Sequence, residues 1–361
     1  MALPDDGATM ALTAQPARAF ATRLRQASLL WGYGAIIALA AFSTIGVWSY
    51  DRFFDVALRG KPSFPFVIFS LALFLAICLA RPLWLVIRLH PEPLRQIARD
   101  LRTYRFWLLT SALVAVALPQ TLEFSSTMKK AIPQLVPFYA DHAIIRIEST
   151  ILGTDAWRIT HAVLGDAATR TIDLIYGLWH IANISLCCWL VLTSDRRFQV
   201  RAVLSYQLIW LLLGGLLATL LSSVGPCFLA EFTGEQRFLP LMAELRALDA
   251  QESLHSLTAM GYLLASKGTD SFGSGISAMP SLHVAVAFLS LLAIRSRTKG
   301  LAALLGATAY LLVILVGSVH LGWHYLLDGI VAIFGTWLIW LAVSRFTDRL
   351  ESGNPQPFRA A

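Results

Sequence analysis

The chain has 361 residues, 57% of them hydrophobic and 14% charged, with a mean hydropathy of +0.63. Soluble domains carry about 25% charged residues, so the composition excludes an ordinary soluble protein and predicts an all-α polytopic membrane protein. The net charge of +7 does not imply a nucleic-acid partner, because the basic residues gather in short loops at one set of segment ends, as membrane topology requires.

Residues 1–28 read as a cytoplasmic tail, with Arg18, Arg23 and Arg25 ahead of a long apolar run. That run is too long for the core of a secretory signal and predicts an uncleaved first span. A helix needs about 20 apolar residues to cross a bilayer. Eight segments qualify, near 29–49, 64–86, 105–122, 171–193, 201–223, 280–295, 300–319 and 323–344. The sixth is short and opens on Pro280, a residue suited to the first turn of a helix. Residues 29–104 then hold two spans and a cytoplasmic linker, 105–345 six further spans, and 346–361 a cytoplasmic tail.

Alternate segment ends carry the arginine clusters, among them Arg95 to Arg105, Arg196 to Arg201, Arg295 to Lys299, and Arg345 with Arg349. The positive-inside rule places those ends and both termini in the cytoplasm. It also sends Ser281, His283, His320, His324 and Asp328 to one common, non-cytoplasmic face. Between the third and fourth spans, Pro133 and Pro137 argue against a long helix, and residues 141–165 predict a helix along the outer interface. The loop of 224–279 is the largest polar piece; Glu231 to Glu252 is helical in pattern, and Gly268 to Ser277 suits a lid or gate. Cys78, Cys187 and Cys188 fall in apolar runs and Cys227 in a loop, so no disulfide framework follows.

Ionisable groups at membrane depth are costly and by default functional. His324 and Asp328 are four apart at the start of the last span, on one helix face. A carboxylate there orients one ring nitrogen and leaves the other as a nucleophile. His283, from another span opening on the same face, is placed to protonate a leaving group. Ser281 and the N–H groups around it open a helix, which suits a phosphate. These parts describe phosphoryl transfer through a phosphohistidine. Rival readings are interhelical hydrogen bonding, a proton-relaying transporter, and a metal site at His320, His324 and Asp328 spaced i, i+4, i+8. A transporter would carry its site near the midplane on broken helices, whereas these residues sit at helix ends.

The string Pro280-Ser281-Leu282-His283, followed about 40 residues on by His324-Tyr325-Leu326-Leu327-Asp328, resembles the type-2 phosphatidic acid phosphatase/haloperoxidase superfamily. The resemblance covers roughly 105–345 and implies His324 as nucleophile, Asp328 as its orienting carboxylate and His283 as general acid. The fuller string Ala278 to His283, with Lys129 to Asp141, is more similar to the inositol phosphorylceramide synthases and their bacterial relatives. On that resemblance Ser281, Lys129, Lys130, Asp141 and His320 contact substrate. The family's Lys-x6-Arg-Pro motif is missing, and Gly317 and Ser318 stand where Ser-Arg is usual. A cation-poor site suits a phosphodiester better than a monoester dianion. The expectation is therefore a membrane phosphotransferase that moves a phosphorylated headgroup from a glycerophospholipid to a lipid alcohol such as ceramide, with no metal or other cofactor. The alternative is hydrolysis of phosphatidic acid or a polyprenyl diphosphate by the same residues. The expected location is a bacterial inner membrane, with the active site on the periplasmic (or luminal) face.

Overall fold

A computed structural model describes residues 29–50, 52, 64–267 and 275–352. The expected tail of 1–28 and most of the glycine- and serine-rich stretch 268–277 lie outside the described residues. Among the described residues the fold is all-α. Seven helices are long and apolar enough to cross a membrane: α1 (Leu29–Tyr50), α2 (within Phe64–Ile87), α3 (Pro93–Leu135), the pair α6 (Asp166–Gly177) and α7 (Trp179–Leu192), α8 (Arg196–Leu220), α13 (Leu301–His320) and α14 (Leu326–Ser352). The remaining expected span, the sixth, is α12 (Leu282–Arg297), with 16 residues. At 1.5 Å per residue it reaches only about 24 Å, short of a ~30 Å hydrocarbon core. It packs between α13, α14 and α8, and Val284, Ala285 and Leu289 are fully buried.

Two expectations about proline are corrected. α3 runs for 43 residues through Pro119 and Pro133, where a span of 105–122 and then a loop were expected. In a membrane bundle, neighbouring helices and local adjustment re-satisfy the backbone groups a proline frees, and Pro133 sits in the last turn of α3. Pro280 is outside α12, which starts two residues later. The fourth span breaks at Leu178, and α8 contains a π-helical stretch over Ile209–Leu217.

The piece expected to be one interfacial helix is two, α4 (Asp141–Leu152) and α5 (Ala156–Val163), the turn between them made by Gly153 at φ 72°. Burial in α4 follows Asp141, Ile144, Ile145 and Glu148, while Ile147 and Ile151 are exposed. The large loop folds into α9 (Leu229–Thr233), α10 (Leu239–Asp249) and α11 (His255–Ala265). Asp173 of α6 caps α11, accepting from the N–H groups of His255 and Ser256 at 2.7 and 2.9 Å. Arg237 pairs with buried Asp155 at 2.8 Å. At the opposite end of the bundle, Arg197 and Arg201 meet Asp348 at 2.9 and 2.7 Å, and Arg297 pairs with Asp195. The arginine-bearing starts and ends of α8, α12 and α14 thus share one end of the molecule, away from His283 and His324. The four cysteines are free thiols.

Candidate active site

α12 starts where it does because Ser281 caps it: its backbone is extended and its hydroxyl accepts from the Val284 N–H at 3.4 Å, as serines before a first turn do. The Ser281 N–H donates to the Asp328 carbonyl at 3.2 Å, joining the two halves of the motif. α13 ends at His320. Gly322, at φ 77°, turns the chain back so that the His324 N–H reaches the Ser318 carbonyl at 2.9 Å. His324 therefore stands just ahead of α14 instead of on its first turn. Its Nδ1 still lies 3.2 Å from Asp328 Oδ2, which also accepts from the Tyr325 N–H at 3.0 Å. Asp328 is fully buried and Oδ1 has no hydrogen-bond partner, so His324 and Tyr325 supply the donors that hold the carboxylate. With Nδ1–H committed to Asp328, the lone pair of His324 Nε2 is free.

His283, the second residue of α12, is clasped by aromatic rings. It stacks on Tyr176 at 5.0 Å and 20° and lies 4.3 Å from Trp179, whose indole N–H donates to the His283 carbonyl at 3.1 Å. The centroids of His283 and His324 are 6.1 Å apart. At that separation both rings can reach one bound substrate.

Both histidines open onto a cavity of about 1210 Å³, which is also lined by Lys129, Lys130, Ser277 and Trp323. The lysines come from the outer end of α3, not from a loop, and Lys129 is close enough to act electrostatically on His283. The motif strand lies hard on that helix: a Cβ on Gly275 would come within 2.5 Å of Lys129 Cβ and 2.8 Å of the Lys130 nitrogen. Among the described residues, Ser277 Oγ and Trp323 Nε1 are buried without a partner. Buried polar groups normally have one, so these two donors stand out in the lining of the cavity. They stand directly ahead of the strings that begin at Ala278 and His324, but only their burial separates them from the residues beside them. His180 also lines the cavity.

The other expected contact residues lie elsewhere. The Ser281 hydroxyl is spent on its cap. Asp141 is buried, and its carboxylate accepts from the N–H groups of Val224 and Gly225, each at 3.0 Å, and from Tyr325 OH at 2.9 Å. It is a clamp behind the site. His320 is also buried, with Nε2 2.8 Å from Thr169 Oγ1, Nδ1 3.0 Å from Thr160 Oγ1, and its ring 4.0 Å from that of His161. The metal face imagined across His320, His324 and Asp328 needs a continuous helix. The break at 321–325 separates His320 from the other two, and the two threonines occupy its ring nitrogens.

The segment 222–227 makes the site one object. Ser223 accepts the Ala278 N–H at its carbonyl (2.9 Å) and the Met279 N–H at its hydroxyl (3.0 Å), while the Cys227 N–H donates to the Gly322 carbonyl at 2.9 Å. Gly225, at φ 83°, lies between the strands: a Cβ there would sit 2.6 Å from the Trp323 carbonyl oxygen and 3.0 Å from Ala278 Cβ. From α4, Glu148 accepts the Leu327 N–H at 2.7 Å, capping α14 just ahead of Asp328. Burial pushes the Glu148 carboxyl up to about 7 against the lowering effect of that N–H. Neither the clamp nor the external cap carries a sequence signal, because both work through backbone groups.

No curated protein and no solved structure matches the chain. The model of one family, described as the PAP2 superfamily, matches residues 142–342, from the first turn of α4 to well inside α14. That stretch is more than half of the chain and holds His283, His324 and Asp328, and the chain accordingly belongs to the PAP2 superfamily of lipid phosphatase and phosphotransferase-type enzymes.

Proposed function

We propose that the protein transfers a phosphorylated headgroup from a glycerophospholipid to the hydroxyl of a second lipid, through a covalent intermediate on His324. The observation that carries this reading is the pairing of His324–Asp328 with His283 across 6.1 Å at the mouth of a large cavity. In the first step His324 Nε2 attacks phosphorus, the bond from phosphorus to the diacylglycerol oxygen breaks, and His283 gives its proton to that oxygen. The buried Asp328 carboxylate balances the positive charge that develops on His324. In the second step the acceptor hydroxyl yields its proton to His283 and attacks phosphorus. The P–N bond then breaks and His324 is restored.

Lys129 and Lys130, with the Ser277 hydroxyl and the Trp323 indole, are the groups that would hold the non-bridging oxygens. Two lysines in place of an arginine fork suit the single charge of a phosphodiester, since lysine acts as a point charge without bidentate geometry. The acceptor is a lipid alcohol of the ceramide kind, on the motif resemblance. Hydrolysis by the same residues is the second reading, favoured by membership of a superfamily that includes phosphatases. The arginine-poor face carrying the site would be periplasmic or luminal, by the positive-inside rule.

Purified protein incubated with labelled phospholipids, with and without ceramide and in EDTA, tests this beside His324→Ala. Headgroup on ceramide, lost in the variant, supports transfer. Phosphate or phospho-headgroup released whether or not ceramide is present would replace transfer with hydrolysis. Activity abolished by EDTA would overturn the metal-free mechanism.

A further inference from the structure

The cavity does not stop at the histidines. From the headgroup end it continues along α3 past Leu122, Pro119, Leu118 and Ala115, and along α7 past Ile184, Cys187 and Cys188 to Leu192. Its other wall is α2, through Ser70, Leu73, Phe74 and Ile77, a single stripe at i, i+3, i+4 and i+7. α2 and α7 each pack on α3. Near Leu192, Trp107 lies 5.9 Å from Phe74 and donates its indole N–H to the Leu192 carbonyl at 3.2 Å. α2 and α3 precede residues 142–342, so two walls of the cavity stand outside the region that matches the family.

We infer that this channel holds one alkyl chain of the substrate phospholipid, and that the α2 stripe, with Phe74 packed against Trp107, sets the chain length accepted. The occupant follows from two features. From His180 to Leu192 the wall runs about 18 Å at 1.5 Å per residue, close to the ~15 Å that one leaflet contributes to a ~30 Å hydrocarbon core. Along that length the lining is mostly apolar, with Ser70 and Asn183 as polar exceptions, while the headgroup end carries Lys129, Lys130 and both histidines, with Glu123 beside them. A cationic, nucleophilic end joined to an apolar run one leaflet deep is complementary to a lipid phosphate with one chain extended beneath it.

The inference rests on the proposed lipid phosphoryl chemistry, and its test has an arm independent of turnover. In the kinetic arm, kcat/KM is measured for phospholipids with six-carbon and with eighteen-carbon chains. Leu73→Trp, which fills the middle of the channel, is expected to lower the long-to-short ratio about tenfold or more. Ile77→Trp, at the deep end, is expected to lower it less. Leu75→Trp, on an exposed part of the same helix outside the channel, is expected to leave the ratio at the wild-type value. An unchanged ratio in Leu73→Trp overturns the inference. In the binding arm, a phospholipid with a diazirine at the end of its chain is photolysed on the protein and the labelled peptides are mapped. Label on 70–77 and 187–192 supports the channel; label spread over the exposed faces of α1 and α2 overturns it. If the wild-type protein turns over no lipid phosphoester but the label maps to the channel, the catalytic reading fails and the channel stands.

Discussion

Gly225 offers a quantitative test of whether the 222–227 clamp sets the catalytic geometry. In Gly225→Ala the new methyl group falls 2.6 Å from the Trp323 carbonyl oxygen and 3.0 Å from Ala278 Cβ, both on strands that carry the motif. Relief requires the 323–324 strand to move by more than half an ångström, because the nearest atom belongs to backbone and cannot rotate away. The backbone at φ 83° and ψ 166° is a conformation that essentially only glycine adopts, and it adds about 1–3 kcal/mol for a residue with a Cβ. A displacement near 1 Å at a reacting group costs about a hundredfold in rate, so His324 moving with Trp323 lowers kcat about 10–100-fold.

Gly234→Ala separates the two effects. Gly234 is left-handed at φ 78° and ψ 0° with nothing within 4 Å of a built Cβ, so that variant takes a positive-φ cost of about 1–2 kcal/mol without the clash. Both variants are assayed for lipid phosphoryl transfer under single-turnover conditions and for thermal unfolding in the same detergent. Gly234→Ala is expected to lose some stability and retain its rate, whereas Gly225→Ala loses both. Equal rates in the two variants would refute the claim that the clamp positions His324.

Asp328→Asn keeps an acceptor near Tyr325 but removes the charge and the tautomer control; in the serine-hydrolase triad the equivalent change costs about 10⁴ in kcat, and a similar loss is expected from rapid-quench rates. Asp141→Ala strands the N–H groups of Val224 and Gly225 and the Tyr325 hydroxyl; at about 1–3 kcal/mol per buried unsatisfied group, a loss of at least ~3 kcal/mol should appear in denaturant unfolding, against ~1 kcal/mol for Tyr325→Phe. Glu148 titrates near 7 when folded, above its ordinary value of 4.5, so the folded state binds its proton more tightly than the unfolded state. Stability from this group is therefore full below about 4.5, falls as pH rises to about 7 and is flat above. Glu148→Gln, which keeps an acceptor for Leu327, should remove that slope from Tm measured against pH, and an unaltered slope would assign it to another group.

The spans were legible because hydrocarbon imposes a length and a composition that survive in sequence; seven of the eight expected segments became long apolar helices. α12 kept the composition but not the length, being buried among α8, α13 and α14. α3 misled in the other direction. It continues past residue 122, where its span was expected to end, and this places Lys129 and Lys130 on a rigid wall. The meeting of His283, His324 and Asp328 was visible because each stands beside an apolar segment end. Asp141 and His320 were assigned to substrate from their chemistry and position alone, yet each is occupied by partners over 100 residues away in sequence or in a neighbouring helix: Tyr325 for the one, Thr160 and Thr169 for the other. Ser277 and Trp323 were overlooked because a serine and a tryptophan near a membrane surface are ordinary until burial leaves them without partners.

The central claim is a covalent phosphorus–nitrogen bond at His324, and its most direct test is to trap it. Protein mixed with a phospholipid labelled at phosphorus is quenched in alkali within one turnover, digested and mapped by mass spectrometry. The account predicts an acid-labile adduct on the peptide containing His324, absent in His324→Ala. Full turnover with no adduct, or an adduct on His283 instead, would contradict it.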